Sequence, residues 1–346
     1  MRNLTVILVL AILSSAPVLA DYTFIPIIDN NDPTFNQALG INNAGTIAGY
    51  FGSGTPNATP PPFTLQPNQG YAVAPPYKQA NFTNENFPGS SQTQDTAINN
   101  FGSLAGFFAD SNGATAPNFI GFVDKGGTFT AVEDPSTPAI PSSVNQLLGV
   151  NDNNVAAGFY QDALGNLHGY TYNIGTASFD NLSLPSGDDA STFAATGINN
   201  AGDVVGFFTN AGGTTEGFID NGGIFTNFLA AGSNNTMFLG INNEGEAVGV
   251  YQDGSGQNHG FVYSIATGTY QTVDDPNAVL ANGGTTINGI NDNGDLVGFY
   301  GDANGNTIGL LANPVPEPRF ISVLLLAALA FAGIQQTRRE KARTQI

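Results

Sequence analysis

Two histidines are the residues of this sequence best suited to metal or acid–base chemistry. They stand in equivalent settings, His168-Gly-Tyr170 and His259-Gly-Phe261. A neutral imidazole is a common metal ligand, so the pair suggests a metal-site hypothesis. The two segments are far apart in the chain, and related segments elsewhere have no histidine. We therefore interpret both histidines as polar residues at the start of a strand, and we predict no metal site.

Short turns that begin with Asp and end with Gly are the second candidate for ligand chemistry. Carboxylate and amide oxygens recur in them, and these are the ligands that Ca2+ prefers. No turn has EF-hand spacing with a distal Glu, and Asp or Asn in a turn usually caps the turn's own backbone. We predict capped turns and no cofactor, with Ca2+ binding as the alternative. The turns are Asp110-Ser-Asn-Gly113, Asp162-Ala-Leu-Gly165, Asp253-Gly-Ser-Gly256, Asp302-Ala-Asn-Gly305 and the variant Asn210-Ala-Gly-Gly213.

Composition excludes several classes of enzyme. The chain has no Cys, which removes disulfides, iron–sulfur clusters and thiol catalysis. It has no Gly-x-Ser-x-Gly elbow and few Arg residues to hold an anionic substrate. We predict a non-enzymatic protein. One alternative stays open, because a pair among the 25 Asp and Glu residues of the repeat region, 21–313, could cleave a glycosidic bond.

The middle of the chain repeats one unit six times. Each copy contains Ile-Asn-Asn or a close variant, and a Gly follows at a fixed distance in the next predicted strand. A second Gly, replaced in the third copy by Asn154, gives the Asn-x-x-Gly spacing of a tight hairpin turn. We interpret the copies as repeats of one structural unit. The first Asn of each copy is predicted to bind turn backbone through its amide. These residues are Asn42, Asn99, Asn151, Asn199, Asn242 and Asn291.

Each copy is predicted to form four short strands separated by turns. The first two flank the hairpin turn, and the small Gly residues at strand positions are predicted to let neighbouring sheets approach closely. The third strand begins with Gly-aromatic or Gly-Leu, except in copy one, which has Pro62-Phe63 there. The fourth carries an aromatic residue. The predicted fourth-strand aromatics are Tyr71, Phe129, Phe179, Phe225 and Tyr270.

The ends of the repeat region indicate a ring. Copy six stops before its fourth strand, whereas Tyr22–Ile28 precedes copy one with that strand's pattern. A spare first strand and a missing last strand can complete one sheet. The sequence thus predicts an all-β fold over residues 21–313, a six-bladed β-propeller of four-stranded blades closed by the N-terminal strand. An open β-solenoid is the alternative, although it would need capped ends and a steadier period.

The first twenty residues have the features of an export signal. Residues 1–20 begin with Arg2, continue with an apolar run and close on small residues before Asp21. That order is typical of a secretory signal peptide, whose apolar part is a short helix, with cleavage before the mature chain. We predict that the protein is exported.

The last residues, 314–346, combine three features in a fixed order. A Pro-Glu-Pro motif comes first, then an apolar stretch predicted to cross the membrane as a helix, then a basic end predicted to stay in the cytoplasm. The motif and basic residues are Val315, Pro316, Glu317, Pro318, Arg338 and Arg339, and the apolar stretch runs from Phe320 to Ile334.

This tail resembles the PEP-CTERM sorting signal of Gram-negative bacteria. In that family a membrane protease-transpeptidase, exosortase, recognises the tail and removes it near the Pro-Glu-Pro motif. The resemblance implies exosortase as a partner and a transient anchor in the inner membrane. It also implies a final place at the cell surface or outside the cell. An ordinary tail anchor is the alternative.

The repeats resemble the exported HAF repeat family, whose unit runs Gly-Ile-Asn-x-x-Gly, Val-Gly-x-Tyr and His-Ala-Phe. The first two parts match in nearly all copies, and the third matches only around His168 and His259. The resemblance implies an exported repeat protein and transfers no activity. Together with the tail, it implies a structural or adhesive role at the cell surface or in the exopolysaccharide matrix. A carbohydrate-binding or glycan-cleaving propeller is the alternative, with exopolysaccharide or other surface glycans as partners.

Charge narrows the choice of partner. The formal net charge is −19, and residues 21–313 contain only two basic residues, Lys78 and Lys125. Nucleic acids and anionic membrane surfaces repel so acidic a body. We therefore predict no nucleic-acid partner.

Overall fold

The computed structural model describes residues 21–53, 67–110, 118–140, 142–184 and 191–315. Among these residues the regular structure is β, apart from the short 3-10 helices Gln79–Asn81 and Leu280–Asn282. The strands are β1 Tyr22–Ile27, β2 Asn36–Ile41, β3 Ile47–Phe51, β4 Gln69–Val73, β5 Phe82–Asn84, β6 Gln92–Ile98, β7 Leu104–Ala109, β8 Phe119–Asp124, β9 Phe129–Val132, β10 Asn145–Val150, β11 Val155–Gln161, β12 Leu167–Asn173, β13 Ser178–Asn181, β14 Ala194–Ile198, β15 Val204–Thr209, β16 Thr215–Asn221, β17 Ile224–Phe228, β18 Thr236–Ile241, β19 Glu246–Gln252, β20 Asn258–Ser264, β21 Thr269–Thr272, β22 Thr285–Ile290, β23 Leu296–Gly301 and β24 Thr307–Pro314.

These strands form six four-stranded sheets, the blades of a propeller. Blades 1 to 5 are β2–β5, β6–β9, β10–β13, β14–β17 and β18–β21, each in chain order. Blade 6 has the order β1-β24-β23-β22, so the first and last described strands are neighbours. The strand that ends at each Ile-Asn-Asn turn lines a central channel. The predicted all-β, six-bladed propeller of four-stranded blades is confirmed.

A β-bulge interrupts every channel-lining strand just before its turn. In every blade a carbonyl of this strand also lies against the second-strand glycine of the same blade. At Gly49, for example, an added Cβ would collide with the carbonyl oxygen of Gln37. The prediction that strand glycines let neighbouring sheets approach is therefore wrong for the second strand. It is confirmed for the third strand, where a Cβ on Gly217 would lie 2.7 Å from the Phe238 ring of the next blade. The glycine before Ile-Asn also permits close approach, since a Cβ on Gly197 would lie 3.1 Å from the Cα of Gly240 in the next blade.

Aromatic and aliphatic side chains fill the space between blades. Phe228 of blade 4 packs against Phe238 and Tyr263 of blade 5, with ring centroids 5.5 and 4.6 Å apart. Phe238 and Phe261 are fully buried there. Each such side chain contributes about 1.5–3 kcal/mol by leaving water. Inter-blade burial is therefore a main source of stability in this chain, which has no disulfides.

Copy one departs from the sequence-based assignment. Tyr71 lies in β4, the third strand of blade 1, so Gly70-Tyr71 is that blade's Gly-aromatic pair. The fourth strand is β5, and its aromatic residue is Phe82, whose ring centroid is 5.0 Å from that of Tyr71. The prediction for Tyr71 is wrong because the long segment before β4 displaces the pattern along the chain. Pro62-Phe63 lies outside the described residues.

The predicted export and sorting signals lie almost wholly outside the described residues. Of the sorting motif, only Val315 is described. Residues Thr23–Asn313 form one compact unit, and the chain on either side of them forms a second unit. Within the second unit, the Val315 N–H donates to the Asp21 carbonyl at 2.7 Å. Within the described ranges, no helix is long and apolar enough to cross a bilayer.

The pairing of β1 with β24 predicts unequal roles for two isoleucines of β1. Ile27 is 1% exposed and packs in a cluster with Leu311 and Ile41, whereas Ile25 is 40% exposed. We expect Ile27→Ala to lower the free energy of unfolding by about 2–5 kcal/mol, as a buried large-to-small change does. Ile25→Ala, in the same strand, should cost less than about 1 kcal/mol. Urea denaturation measures both, and equal effects would contradict a buried β1.

Candidate functional site

The six Ile-Asn-Asn turns meet at one mouth of the central channel, where the first asparagines link the blades. Each is buried, with 3–7% of its surface exposed. Each side-chain amide donates from Nδ2 to the backbone carbonyl of the equivalent asparagine in the next blade, at 2.8–3.4 Å. The last of these bonds runs from Asn291 of blade 6 to Asn42 of blade 1 at 3.0 Å. The six bonds therefore form a closed cycle, which we call the inner ring.

The same amide also shapes its own turn. In blade 2, Asn99 Oδ1 accepts the backbone N–H groups of Phe101 and Ser103 at 3.0 and 2.9 Å. The pattern recurs in all six blades. The prediction that the first Asn binds turn backbone is confirmed. The bond to the next blade was not predicted, because a single copy of the repeat does not show which surface it will face.

The second residue of each pair forms an outer ring at the rim of the mouth. Each backbone N–H donates to the side-chain oxygen of the equivalent residue in the next blade at 2.8–2.9 Å, and this cycle also closes. The members are Asn43, Asn100, Asp152, Asn200, Asn243 and Asp292.

The two aspartates of the outer ring stand in opposite blades, each between two asparagines. Asp152 Oδ2 accepts from the Nδ2 groups of Asn100 and Asn200, both at 2.8 Å. Asp292 receives the same contacts from Asn43 and Asn243. Burial acts to raise the pKa of Asp292, but these hydrogen bonds outweigh it and hold the pKa below its usual range. Asp292 therefore stays ionised near neutral pH.

Behind the rings, the channel is narrow. Its cavity measures about 100 Å³, enough for a few ordered waters but not for a sugar ring. One residue of each bulge faces the channel, and apolar and polar residues alternate around its wall. Blades 1, 3 and 5 supply a leucine, and blades 2, 4 and 6 supply Thr96, Thr196 and Asn288. Any larger ligand must therefore lie across the mouth rather than inside the channel.

The outer ring retains hydrogen-bonding capacity toward solvent. An Asn side chain has two N–H donors, and Asn43, Asn100 and Asn200 each use one of them on a carboxylate. Beside Asn100, Phe101 presents its side chain to solvent and is 78% exposed. The mouth thus combines fixed amides and carboxylates with one exposed aromatic ring.

The two histidines lie in different blades, and the structure does not bring them together. His168 Nε2 is 3.0 Å from Asp162 Oδ2, and its ring stacks on Tyr160 at 5.0 Å. His259 Nδ1 is 2.7 Å from Asp274 Oδ2. Both stand near strand starts, beside the acidic turns that join the second and third strands of blades 3 and 5. The interpretation as polar strand-start residues agrees with this placement.

Three acidic turns are capped as predicted, and the turn that begins at Asp110 lies mostly outside the described residues. Asp162 Oδ1 accepts the N–H groups of Leu164 and Asn166 at 2.8 and 2.9 Å. Hydrogen bonds from His168 and Asn166 lower the pKa of Asp162 well below its usual range. Asp253 and Asp302 cap their turns in the same way. In the ranges that the structure covers, no three His, Cys, Asp or Glu side chains gather closely enough to hold a metal ion.

Asp95 is a buried carboxyl that the sequence analysis did not single out. It stands opposite Gly106, at the position where the other five blades place an apolar residue. It is 0% exposed, neither carboxylate oxygen has a hydrogen-bond partner, and Oδ2 lies against Gly70 of blade 1. Burial raises the pKa of Asp95 well above its usual range, and the charges of Glu85 and Asp124 raise it further. The equivalents are Ala38, Leu147, Ala195, Phe238 and Ile287.

Comparisons with known proteins give the fold and no family. No family model matches the chain, and no curated protein matches it significantly. A protein of Agrobacterium tumefaciens assigned as TolB has a TM-score of 0.51 at 12% identity, covering 82% of this chain and 92% of that chain. TolB from Acinetobacter baumannii gives 0.49 at 13%, covering 78% of this chain and 64% of that one, so the chain spans about 64% of its length. A mutant Aleuria aurantia lectin in complex with Fucα1-6GlcNAc gives 0.45 at 10%, with coverage of 80% and 91%.

At such identities, the likeness concerns the fold alone. The fold and the site together define the class of protein. It is a six-bladed β-propeller with two closed hydrogen-bond rings at one channel mouth.

Removing one member of the inner ring should destabilise the whole propeller. Asn151→Ala would leave the N–H groups of Asn153 and Val155 and the carbonyl of Asn199 without their partner. We expect a loss of about 2–4 kcal/mol, the sum of three hydrogen bonds. Asn227→Ala is the control, because Asn227 is exposed and its side chain makes no hydrogen bond to the part of the chain that the structure describes. It should cost less than about 0.5 kcal/mol. Similar unfolding midpoints for the two variants would show that the inner ring is not structural.

Asp95 should make the stability pH-dependent. Its folded pKa exceeds the unfolded value of about 3.9, so the unfolding free energy should fall as pH rises from about 4 through the folded pKa. Each unit of difference corresponds to about 1.4 kcal/mol. Asp95→Ala, which copies blades 1 and 4, should remove this slope and be more stable than the parent at pH 8. Asp180→Asn, on an exposed carboxylate, is the control. Parallel pH profiles for the parent and Asp95→Ala in urea unfolding would refute the assignment.

Proposed function

We propose that this chain is an exported, non-enzymatic surface propeller whose channel-mouth face binds surface glycans in an adhesive or structural role. The observation that carries the proposal is the outer ring, a rigid circle of amides and carboxylates. Its Asn side chains keep N–H groups that are not used within the ring, and the exposed Phe101 lies beside it. Sugar hydroxyls pair with amides and carboxylates, and the apolar face of a sugar ring stacks on an aromatic side chain. Exopolysaccharide or other surface glycans are the proposed partners.

Rigidity favours this role. Every outer-ring side chain accepts a backbone N–H of the preceding blade, so little side-chain freedom is lost when a ligand binds. A glycan-cleaving site, by contrast, needs a carboxyl that stays protonated to act as the general acid. Asp292 at the mouth has a lowered pKa and is ill suited to that task.

The route to the surface is part of the proposal. The signal peptide, residues 1–20, would start export, and the tail, residues 314–346, would hold the protein briefly in the inner membrane. Exosortase would then sort it through the motif and the basic end. The supporting observation is the order of these features in the sequence. We further propose that β1 closes the ring, which the sheet order β1-β24-β23-β22 supports.

Phe101→Ala tests the binding face without disturbing the fold. Phe101 is 78% exposed, so we expect an unchanged melting temperature and about tenfold weaker glycan binding, equivalent to about 1.4 kcal/mol of lost contact. Leu164→Ala is the matched control. Leu164 is 88% exposed in the turn between β11 and β12, away from the channel mouth. A glycan array followed by titration calorimetry measures both. Absence of glycan binding by the parent, or equal affinities of the two variants, would contradict the proposed role of the mouth.

A further inference from the structure

A groove between blades 3 and 4 opens from the channel mouth. Its volume is about 740 Å³, within the range of about 300–1,000 Å³ typical of small-molecule sites. Asn151, Ile198 and Asn200 line both the groove and the channel cavity, so the groove adjoins the channel mouth. A ligand lying across the mouth therefore has a path outward between these blades.

The floor of the groove is apolar. Val155, Leu182 and Phe225 are partly buried and pack against the core between blades 3 and 4, beside the buried Val204. Phe225 is fixed by ring contacts to Phe218, with centroids 5.6 Å apart. The floor thus offers a firm hydrophobic surface that is still reached by solvent.

The walls of the groove are polar and carry hydrogen-bonding groups without protein partners. Asp180 and Asn181, at the end of β13, are exposed, and their side chains make no hydrogen bond with the described residues. Asn200 is held in place, with its Nδ2 on Asp152 at 2.8 Å and its carbonyl accepting from Asn153 at 2.8 Å. An apolar floor between polar walls suits a ligand that has hydrogen-bonding edges and apolar faces.

The charge of the groove selects among such ligands. Its lining contains two acidic residues, Asp180 and Asp220, and no basic residue. Asp220 is buried and its Oδ1 accepts the Gly223 N–H at 2.6 Å, so it is committed to the fold. An anionic chain would meet repulsion with no compensating cation. A neutral chain of sugars meets none.

We propose that the groove between blades 3 and 4 binds a stretch of neutral glycan that continues from the channel mouth. This inference rests on the proposed function and adds the place and the ligand class. The sugar faces lie on Phe225 and Val155, and Asp180, Asn181 and Asn200 bind the hydroxyl groups.

Titration calorimetry of the full chain tests this directly, with neutral oligosaccharides and uronic-acid oligosaccharides of matched length as probes. The variant is Asp180→Ala with Asn181→Ala. The matched control is Thr226→Ala with Asn227→Ala, the equivalent exposed positions of blade 4, which lie outside the groove. We expect the groove variant to bind neutral oligosaccharides at least about tenfold more weakly, which is about 1.4 kcal/mol. The control should bind like the parent, and melting temperatures should be unchanged.

The other outcomes separate the two proposals. If the parent binds neutral oligosaccharides and the groove variant binds them equally well, the groove is overturned and the proposed function stands. If the parent prefers uronic-acid oligosaccharides, the ligand class is overturned. If the parent binds no oligosaccharide, the proposed function fails, and the groove inference fails with it.

Discussion

Each blade of this propeller is joined to the next by one asparagine side chain. Its oxygen caps the turn in which it stands, and its nitrogen reaches the carbonyl of the same asparagine in the neighbouring blade, as Asn99 does to Asn151 at 3.0 Å. A buried amide left without partners would be costly, so each turn is stable only when the adjacent blade is in place. Because the bond from Asn291 to Asn42 completes the cycle, no blade at the mouth lacks a neighbour.

This arrangement couples structure to the proposed binding role. The side chains that hold the mouth together also present their remaining N–H groups to solvent, in positions set by the ring. A preorganised surface loses little conformational entropy on binding. The same rigidity would suit a chain without disulfides to the exported location that the sequence predicts. The channel itself is too narrow to hold a sugar. The proposed binding surfaces are therefore the channel-mouth face and the groove between blades 3 and 4.

Much of the fold could be predicted because its cause is local and repeated. Asn-x-x-Gly at fixed offsets demands a hairpin, and six such units demand six equivalent sheets. Copy one was misassigned where an insertion separates β3 from β4, since strand order there depends on pairing rather than on spacing. The repeat marks the glycine at position 49 as special, but the reason, its contact with the Gln37 carbonyl of the neighbouring strand, is visible only in three dimensions.

The candidate site was less predictable than the fold. The outer ring and the groove join residues from different copies, and no spacing within one copy shows that Asn200 will meet Asp152. Asp95 could have been found by aligning the copies, because it stands where the others have apolar residues. The sorting residues, from Pro316 to Arg339, remain predictions of the sequence.

Hydrogen exchange of the asparagine side-chain amides, followed by NMR, tests the closed ring most directly. In a closed cycle every inner-ring amide opens only when the propeller unfolds, so all six should exchange at one slow rate set by global stability. Asn42 and Asn291, at the junction of blades 1 and 6, should be as protected as Asn151 and Asn199. Fast exchange of Asn291 alone, with the other amides protected, would mean an open ring and would contradict the account.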